Sequence, residues 1–147
     1  MGPTAPRRRR AAATWSVGVL LTAGGCGLLQ EGRQHSETFL SPFDLLVLRD
    51  RSLSWFARSP APGYEVVEST LSLVRGEITR NGPGGTGERV DVVTAYMDTL
   101  REGTQVRVQA ISYELRGGRR ERADQVSFDA VQDARSLVDF LMDRRAE

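Results

Sequence analysis

Apolar and polar residues alternate over two adjacent stretches in the second half of the chain. Arg89–Leu100 carries apolar residues on both faces of an extended segment, a pattern that predicts a central β-strand. Thr104–Arg116 alternates in the same way, and Arg101–Gly103 between them is a compact turn in which glycine can adopt positive φ. The apolar positions change phase near Ala110, which predicts a bulge or a strand that leaves the shared sheet. Together the two stretches predict a long antiparallel hairpin.

Shorter extended segments flank this hairpin. Tyr64–Glu68 and Leu71–Thr79 predict either two strands or one long bulged strand. The glycine-rich Asn81–Gly87 lacks the lysine and Ser/Thr of a phosphate-binding P-loop and no helix start follows it, so it predicts a hairpin loop. Gly117–Arg122 is a polar turn whose three arginines either bind an anion or form a solvated loop, and the pattern also allows a short strand over Val126–Phe128.

Apolar residues at helical spacing predict a helix before these strands. Ser41 suits the N-cap, Pro42 the first helical position, and Asp44 places a carboxylate where the helix dipole is positive. The two prolines within Ser59–Gly63 end the helix. A buried strand over Leu45–Leu48 is the competing interpretation, and the capping residues favour the helix. The predicted apolar stripe comprises Phe43, Leu46, Val47, Leu53 and Phe56.

A second amphipathic helix is predicted over Asp129–Arg145. Asp129 and Asp133 near its start and Arg144 and Arg145 near its end match the helix dipole. Such a helix needs a sheet to cover its apolar side. The stripe comprises Val131, Ala134, Leu137, Val138, Leu141 and Met142.

These elements predict an α+β fold, in which an antiparallel sheet of three to five strands has an N-terminal and a C-terminal helix packed on one face. Their order is similar in pattern to small helix-grip-like domains of bacterial envelope lipoproteins, and this resemblance implies the fold alone. The predicted core comprises Val66, Leu73, Ile78, Val92, Tyr96, Val106, Val108, Leu137, Val138 and Leu141.

Residues 1–25 have the composition of a signal peptide. Arg7–Arg10 form a positive n-region, and Ala11–Gly25 is an uncharged, mostly apolar stretch of 15 residues. The positive cluster is expected to stay cytoplasmic while the apolar stretch enters the membrane. An uncleaved transmembrane anchor is the alternative, because Ala11–Gln30 contains no charge over 20 residues, about the length that spans a bilayer.

The end of this segment, Leu21–Cys26, resembles the lipobox of bacterial lipoprotein precursors. Gly24 and Gly25 fit the small positions before the cysteine, whereas Ala23 stands where leucine is usual. The resemblance implies cleavage between Gly25 and Cys26. It also implies that Cys26 is diacylated on sulfur and becomes the mature N-terminus.

Residues 26–40 are predicted to be the lipidated cysteine and a flexible tether, and residues 41–147 a single α+β domain. Gly27–Leu40 is polar and lacks a regular period, which favours a short linker between lipid and domain. His35 lies in this segment and is interpreted as a solvated linker histidine.

Net charge changes once the signal peptide is removed. All 20 cationic residues are arginine, and against 19 acidic residues they leave the full chain at +1. Four of those arginines lie in residues 1–25, so the remaining chain has 16 against 19, or −3. A mildly acidic domain offers no electrostatic case for binding nucleic acid.

Few residues are available for catalysis or for binding a cofactor. A single cysteine and a single histidine exclude an internal disulfide framework, a multi-cysteine metal site and any site that needs two histidines. No cofactor, metal site or catalytic residue is therefore predicted. The competing hypothesis is a small envelope hydrolase that uses the hairpin carboxylates Asp91, Asp98 and Glu102.

The sequence thus predicts a lipid-anchored protein of the bacterial cell envelope, facing the periplasm or the exterior. The expected function is non-catalytic: docking on an envelope protein or on peptidoglycan. A short tether supports this expectation, because it raises the effective concentration of even a weak binding surface at the membrane.

Overall fold

The computed structural model describes residues 32–58 and 63–143, which form six β-strands and two α-helices. All strands belong to one antiparallel sheet with the order β1-β5-β4-β3-β2, and β6 pairs with β5. In chain order the elements are β1 (His35–Ser41), α1 (Leu45–Arg58), β2 (Glu65–Ser69), β3 (Leu73–Asn81), β4 (Glu88–Leu100), β5 (Gly103–Arg116), β6 (Arg119–Arg122) and α2 (Phe128–Met142).

The α+β class is confirmed, with one strand more than the predicted maximum of five. The predicted signal peptide, its cleavage position at Gly25 and the lipid-attachment residue Cys26 lie outside the described residues. Within residues 32–58 and 63–143, no helix combines the length and the apolar character needed to cross a bilayer.

The β4–β5 hairpin forms the centre of the sheet. Its pairing runs without a register shift from Glu88 opposite Leu115 to Leu100 opposite Gly103. The bulge predicted near Ala110 is therefore wrong. The apolar residues change phase there because Ile111 and Tyr113, which point to the other side of the sheet from Val108, are also partly buried. Gly103 has a φ of 141°, the positive value that the predicted turn requires.

β1 lies where the sequence predicted a flexible tether. His35–Ser41 pairs with β5 from His35 opposite Ala110 to Ser41 opposite Thr104. A polar edge strand needs apolar residues on one side only, and here Phe39 packs against the core. The prediction of a linker over residues 26–40 is thus wrong for 35–40, and His35 is a strand residue whose Nε2 lies 2.8 Å from Glu37 Oε1.

The polar segment Gly117–Arg122 is a hairpin rather than a loop. Gly117 and Gly118 have φ values of 56° and 76°, which suit a two-residue hairpin turn. β6 follows and pairs with the end of β5. The segment allowed as a strand over Val126–Phe128 instead leads into α2.

α1 begins later than predicted. Asp44 is its N-cap, since Asp44 Oδ1 accepts a hydrogen bond from Val47 N at 2.9 Å. Ser41 is the last residue of β1, and its Oγ accepts from Phe43 N at 3.2 Å. The fully buried residues of α1 are Leu48, Ser52 and Phe56, whereas Leu46 and Val47 of the predicted stripe are exposed.

α2 has Ser127 as its N-cap, because Ser127 Oγ accepts from Ala130 N at 3.0 Å. Its buried residues include four of the predicted stripe, whereas Val131 is half-buried and Met142 is exposed. Arg144 and Arg145 lie outside the described residues. The buried residues are Ala130, Ala134, Leu137, Val138 and Leu141.

One hydrophobic cluster contains residues of both helices and of the sheet. Six predicted core residues are confirmed in it: Ile78, Val106, Val108, Leu137, Val138 and Leu141. Val92 is also buried, as predicted, but on the face of the sheet that points away from this cluster. Three predicted members are wrong. Val66 is exposed on the edge strand β2, Leu73 is half-buried beside the buried Val74, and Tyr96 is half-buried and points away from the cluster.

Phe56 of α1 explains a glycine in β3. A Cβ at Gly76 would lie 2.6 Å from the Phe56 ring, so only glycine lets the helix side chain approach the strand this closely.

Candidate functional site

The two faces of the sheet carry different groups of polar side chains. The inner face, defined as the face that bears the hydrophobic cluster, includes Val93 of β4 and Val108 of β5. Residues of opposite parity, including Val92 and Ile111, lie on the outer face. A buried ionic cluster lies on the inner face and a shallow groove on the outer face.

Asp91 is the centre of the buried group, here named the Asp91 cluster (Arg80, Arg89, Asp91, Ser112 and Ser127). Its side chain is 0% exposed. Oδ1 accepts a hydrogen bond from Ser112 Oγ at 2.6 Å, and Oδ2 accepts from Ser127 Oγ at 2.8 Å and from Arg80 Nη1 at 2.9 Å. Arg89 Nε lies 3.1 Å from Oδ1 but is not aligned for a hydrogen bond. This set of partners compensates the carboxylate for its loss of water.

The cluster attaches the start of α2 to the sheet. Ser127 Oγ caps the helix and also donates to Asp91, and the Ser127 backbone N–H donates to Ser112 Oγ at 2.9 Å. Each hydroxyl therefore both donates and accepts. The N-terminus of α2 is thereby held to β4 and β5 by polar contacts as well as by packing.

Arg80 extends the network toward the edge of the sheet. Its Nη2 lies 2.7 Å from Asp133 Oδ2, which also accepts from the Tyr64 hydroxyl at 2.6 Å. Burial, together with the hydrogen bond to Asp133, raises the pKa of Tyr64 well above its ordinary value of 10.0. Burial lowers the pKa of Arg80, but its hydrogen bonds to Asp133 and Asp91 outweigh that effect, so the net change is upward.

The hairpin carboxylates that the hydrolase hypothesis requires are not brought together. Asp91 is buried on the inner face, whereas Asp98 is exposed on the outer face and Glu102 is exposed in the turn. Seven residues of extended strand put Asp91 and Asp98 about 23 Å apart along β4, too far for a pair of catalytic carboxylates. Among the described residues, no group of three His, Cys, Asp or Glu side chains could hold a metal ion.

The outer groove has a volume of about 170 Å³. An ion pair borders it: Arg120 of β6 reaches across the outer face, and its Nη2 lies 2.8 Å from Glu77 Oε2 of β3. The floor contains apolar side chains, among them Val92 and Ile111. The lining residues are Arg75, Glu77, Val92, Thr94, Tyr96, Gln109, Ile111, Tyr113 and Arg120.

Arg107 and Tyr96 form a stacked pair on this face. The Arg107 guanidinium lies over the Tyr96 ring, 4.7 Å from its centroid. Arg107 is exposed and forms no ion pair among the described residues, so its donors remain available. An aromatic ring, an arginine and the neighbouring amide of Gln109 can together bind a carboxylate or backbone carbonyls of a partner.

Sequence reasoning placed Tyr96 in the core and missed Arg107. It considered Arg120 only as one of three arginines that bind an anion or form a solvated loop, and missed its pairing with Glu77. The register of a hairpin with a two-residue turn at Arg101–Glu102 puts Arg107 opposite Tyr96, so this pair could have been found. The contact between Arg120 and Glu77 joins strands that are not neighbours, and no local pattern indicates it.

The glycine-rich loop beside the sheet borders a larger and open depression of about 450 Å³. Glu88 and Glu114 contribute carboxylates to its lining, and Arg116 there is already paired with Glu114 at 2.7 Å. The two carboxylates would repel a phosphate group. The depression therefore gives no support to phosphate binding by the glycine-rich loop, which connects β3 and β4 as a hairpin loop.

No protein-family model matches this chain, and no curated protein matches it. Several solved structures resemble it at a distance, among them the following two. The crystal structure of Ara h 8.0201 is 13% identical, with a TM-score of 0.38 over 74% of this chain and 94% of that one. A DUF4468 family protein from Bacteroides ovatus is 12% identical, with a TM-score of 0.37 over 75% of this chain and 80% of that one. At these values the likeness carries no argument about this chain.

Proposed function

We propose that this chain is a lipid-anchored protein of the bacterial cell envelope that binds a partner protein through the outer face of its sheet and has no catalytic role. The N-terminal sequence, from Arg7 to the lipobox cysteine Cys26, supports the anchor. The outer groove and the adjoining Arg107 support the binding surface.

We infer that both helices cover the inner face and leave the outer face to the partner. A single hydrophobic cluster includes Leu48 and Phe56 of α1, Leu137 and Leu141 of α2, and inner-face residues of β3, β4 and β5. Packing two helices on one side is the arrangement expected of a two-layer α+β domain.

The observation that carries the proposal is the stacked pair of Arg107 and Tyr96 beside the groove. Tyrosine and arginine dominate the binding energy of protein interfaces, because both combine a rigid apolar surface with polar donors. Because these are the residue types of protein interfaces, we take a protein rather than peptidoglycan as the partner. Arg107 favours a partner segment that carries a carboxylate.

The binding surface is tested by site-specific photocrosslinking in intact cells. A photoreactive residue at Gln109 lies in the outer groove, whereas one at Asp139 lies on the exposed side of α2. We expect one protein adduct from Gln109 and none of that mass from Asp139. The double variant Tyr96→Ala/Arg107→Ala should lower the adduct at least tenfold.

Two results would overturn the docking proposal. Equal adducts from Gln109 and Asp139 would contradict the assignment of the outer face. Co-sedimentation of the purified protein with isolated cell walls, combined with the absence of any protein adduct, would favour peptidoglycan instead.

The anchor is tested separately by intact-mass spectrometry of the wild type and Cys26→Ser. We expect the wild type to begin at Cys26 and to carry acyl chains, and the variant to remain about 25 residues longer without added lipid, as the lipobox resemblance implies. Identical full-length masses for both proteins would favour the uncleaved transmembrane anchor.

A further inference from the structure

Phe128 is the most exposed of the large hydrophobic side chains in the described residues, at 76%. It is the first residue of α2 and follows the N-cap Ser127 directly. The inner-face polar network does not explain it, because the neighbouring Asp129 and Ser127 make the contacts to Arg89 and Asp91. A single exposed apolar side chain is common on protein surfaces, so the meaning of Phe128 depends on what lies beside it.

The chain enters the domain beside this residue. The Val126 backbone N–H donates to the carbonyl of Gly32 at 2.9 Å, only two residues before Phe128. Because β1 incorporates the segment from His35 onward, the lipid-bearing chain ahead of the fold is shorter than the predicted tether. Cys26 and Gly32 are six residues apart, so even a fully extended chain places Gly32 within roughly 20 Å of the acylated residue.

Positive charge lies near the same end. Arg122 Nη2 donates to the carbonyl of Arg33 and to Gln34 Oε1, both neutral acceptors. Arg119 and Arg122 form no ion pair among the described residues, whereas Arg33 is paired with Asp124 at 2.9 Å. Of these two, Arg122 lies beside the segment where the chain enters the domain. An arginine without an ion pair at the same end as an exposed aromatic residue matches the headgroup and acyl layers of an anionic membrane surface.

We infer that the end of the domain around Phe128 lies against the lipid bilayer, with the Phe128 ring in the interface and Arg122 near the lipid phosphates. The inference rests on the proposed lipid anchor, since the short connection to Cys26 brings this end to the membrane. It goes beyond the anchor because it fixes which end of the domain faces the lipid.

The opposite end of α2 is the rival surface and supplies a matched control. Met142 is 54% exposed and lies beside a small apolar cavity of about 120 Å³ that Leu40 also lines. The 15 residues of α2 separate Phe128 from Met142 by about 21 Å along the helix. A tryptophan at one end is thus well separated from a tryptophan at the other.

The test uses the full lipidated protein in phosphatidylglycerol-containing vesicles whose acyl chains carry bromine, a contact quencher of tryptophan fluorescence. Phe128→Trp and Met142→Trp are compared, and the wild type gives the background from Trp55. We expect Phe128→Trp to be quenched at least twofold more than Met142→Trp. Equal quenching, or stronger quenching at Met142, would overturn the inference.

Vesicle flotation on the same samples separates this inference from the anchor. Protein that floats with the vesicles without preferential quenching at position 128 refutes the orientation and leaves the anchor standing. Protein that does not float refutes the anchor, and the orientation fails with it.

Discussion

Arg80 on the inner face and Arg120 on the outer face each bind a carboxylate at nearly the same distance, yet their surroundings differ. Arg80 Nη1 lies 2.9 Å from Asp91 Oδ2, and Arg120 Nη2 lies 2.8 Å from Glu77 Oε2. The Asp91 side chain is 0% exposed and that of Arg80 20%, whereas Glu77 is 19% and Arg120 51% exposed. The two ion pairs thus have similar distances but differ in how far water reaches the charged groups.

The distance between the charged atoms therefore does not determine what an ion pair contributes to the free energy of unfolding. Water solvates Arg120 if Glu77 is lost, so little free energy is at stake. Loss of Asp91 would instead leave Arg80 and Arg89 among buried groups without their shared carboxylate. Substitutions in the outer pair should therefore have little effect on stability, whereas substitutions in the inner pair should destabilise the fold.

Asp91→Ala gives the sharpest test of this comparison. We expect the free energy of unfolding to fall by about 3–5 kcal/mol, because one partner of a buried ion pair is removed and the other remains. Urea denaturation followed by circular dichroism measures it. The control, Asp98→Ala on the outer face of the same strand, should change stability by less than about 0.5 kcal/mol. Similar losses for the two variants would contradict the assigned roles.

Leu141→Ala tests the apolar part of the inner face. Leu141 is fully buried in the hydrophobic cluster, and its truncation should cost about 2–5 kcal/mol through lost burial and the cavity left behind. Met142→Ala, one residue further along α2 and exposed, is the matched control. Thermal melting of both variants compares them, and an unchanged melting temperature for Leu141→Ala would refute the packing of α2 on the sheet.

Tyr64→Phe tests the edge of the inner network. Loss of the hydroxyl that donates to Asp133 at 2.6 Å should cost about 1.5 kcal/mol or somewhat more near pH 7, since the acceptor is charged. Because the pKa of Tyr64 is raised in the folded state, its contribution is fully present below the ordinary pKa of 10.0 and declines as the pH rises above it.

The stability difference between wild type and Tyr64→Phe should therefore shrink between pH 9 and 11, because tyrosine ionises first in the unfolded chain. Urea titrations at several pH values measure this trend. A difference that stays constant across that range would show that the hydroxyl is not held in the protonated form by the fold.

Arg120→Ala should have the smallest effect. An exposed ion pair contributes up to about 1 kcal/mol, and 1 M salt should remove most of that contribution through screening. Arg119→Ala, beside it in β6 and without an ion pair among the described residues, controls for the loss of one arginine. A loss for Arg120→Ala as large as that for Asp91→Ala would mean that the outer face is as essential to folding as the inner one.

Much of the architecture could be predicted because it depends on local periodicity. The β4–β5 hairpin followed from alternation and the compact turn at Arg101–Gly103. α2 followed from apolar residues at helical spacing, with early aspartates and late arginines that match the helix dipole. α1 was predicted at the right place but with the wrong cap, because Ser41 and Asp44 are both good N-cap residues and only pairing of Ser41 within β1 excludes the first.

The candidate sites were harder to predict because their residues come from distant parts of the chain. Asp91 gave no sign of burial, since an acidic residue in an alternating strand normally faces water. Its partners Arg80, Ser112 and Ser127 come from three other segments. Val92 and Tyr96 were harder to place for a different reason. Both sets of alternating residues in β4 are apolar, so the alternation does not indicate which face of the strand bears the hydrophobic cluster.

The sequence was sufficient to predict the α+β class, the central hairpin and the two helices, because hydrogen bonding and burial within each element impose a period of 2 or about 3.6 on neighbouring residues. It is also the sole basis for the expected lipid anchor at Cys26. Three features were apparent only from the tertiary structure: the polar segment around His35 is a strand, Asp91 is buried, and Arg107 has donors available to a binding partner. Those outcomes depend on long-range pairing and on which charges lose their water, and neither leaves a local pattern in the chain.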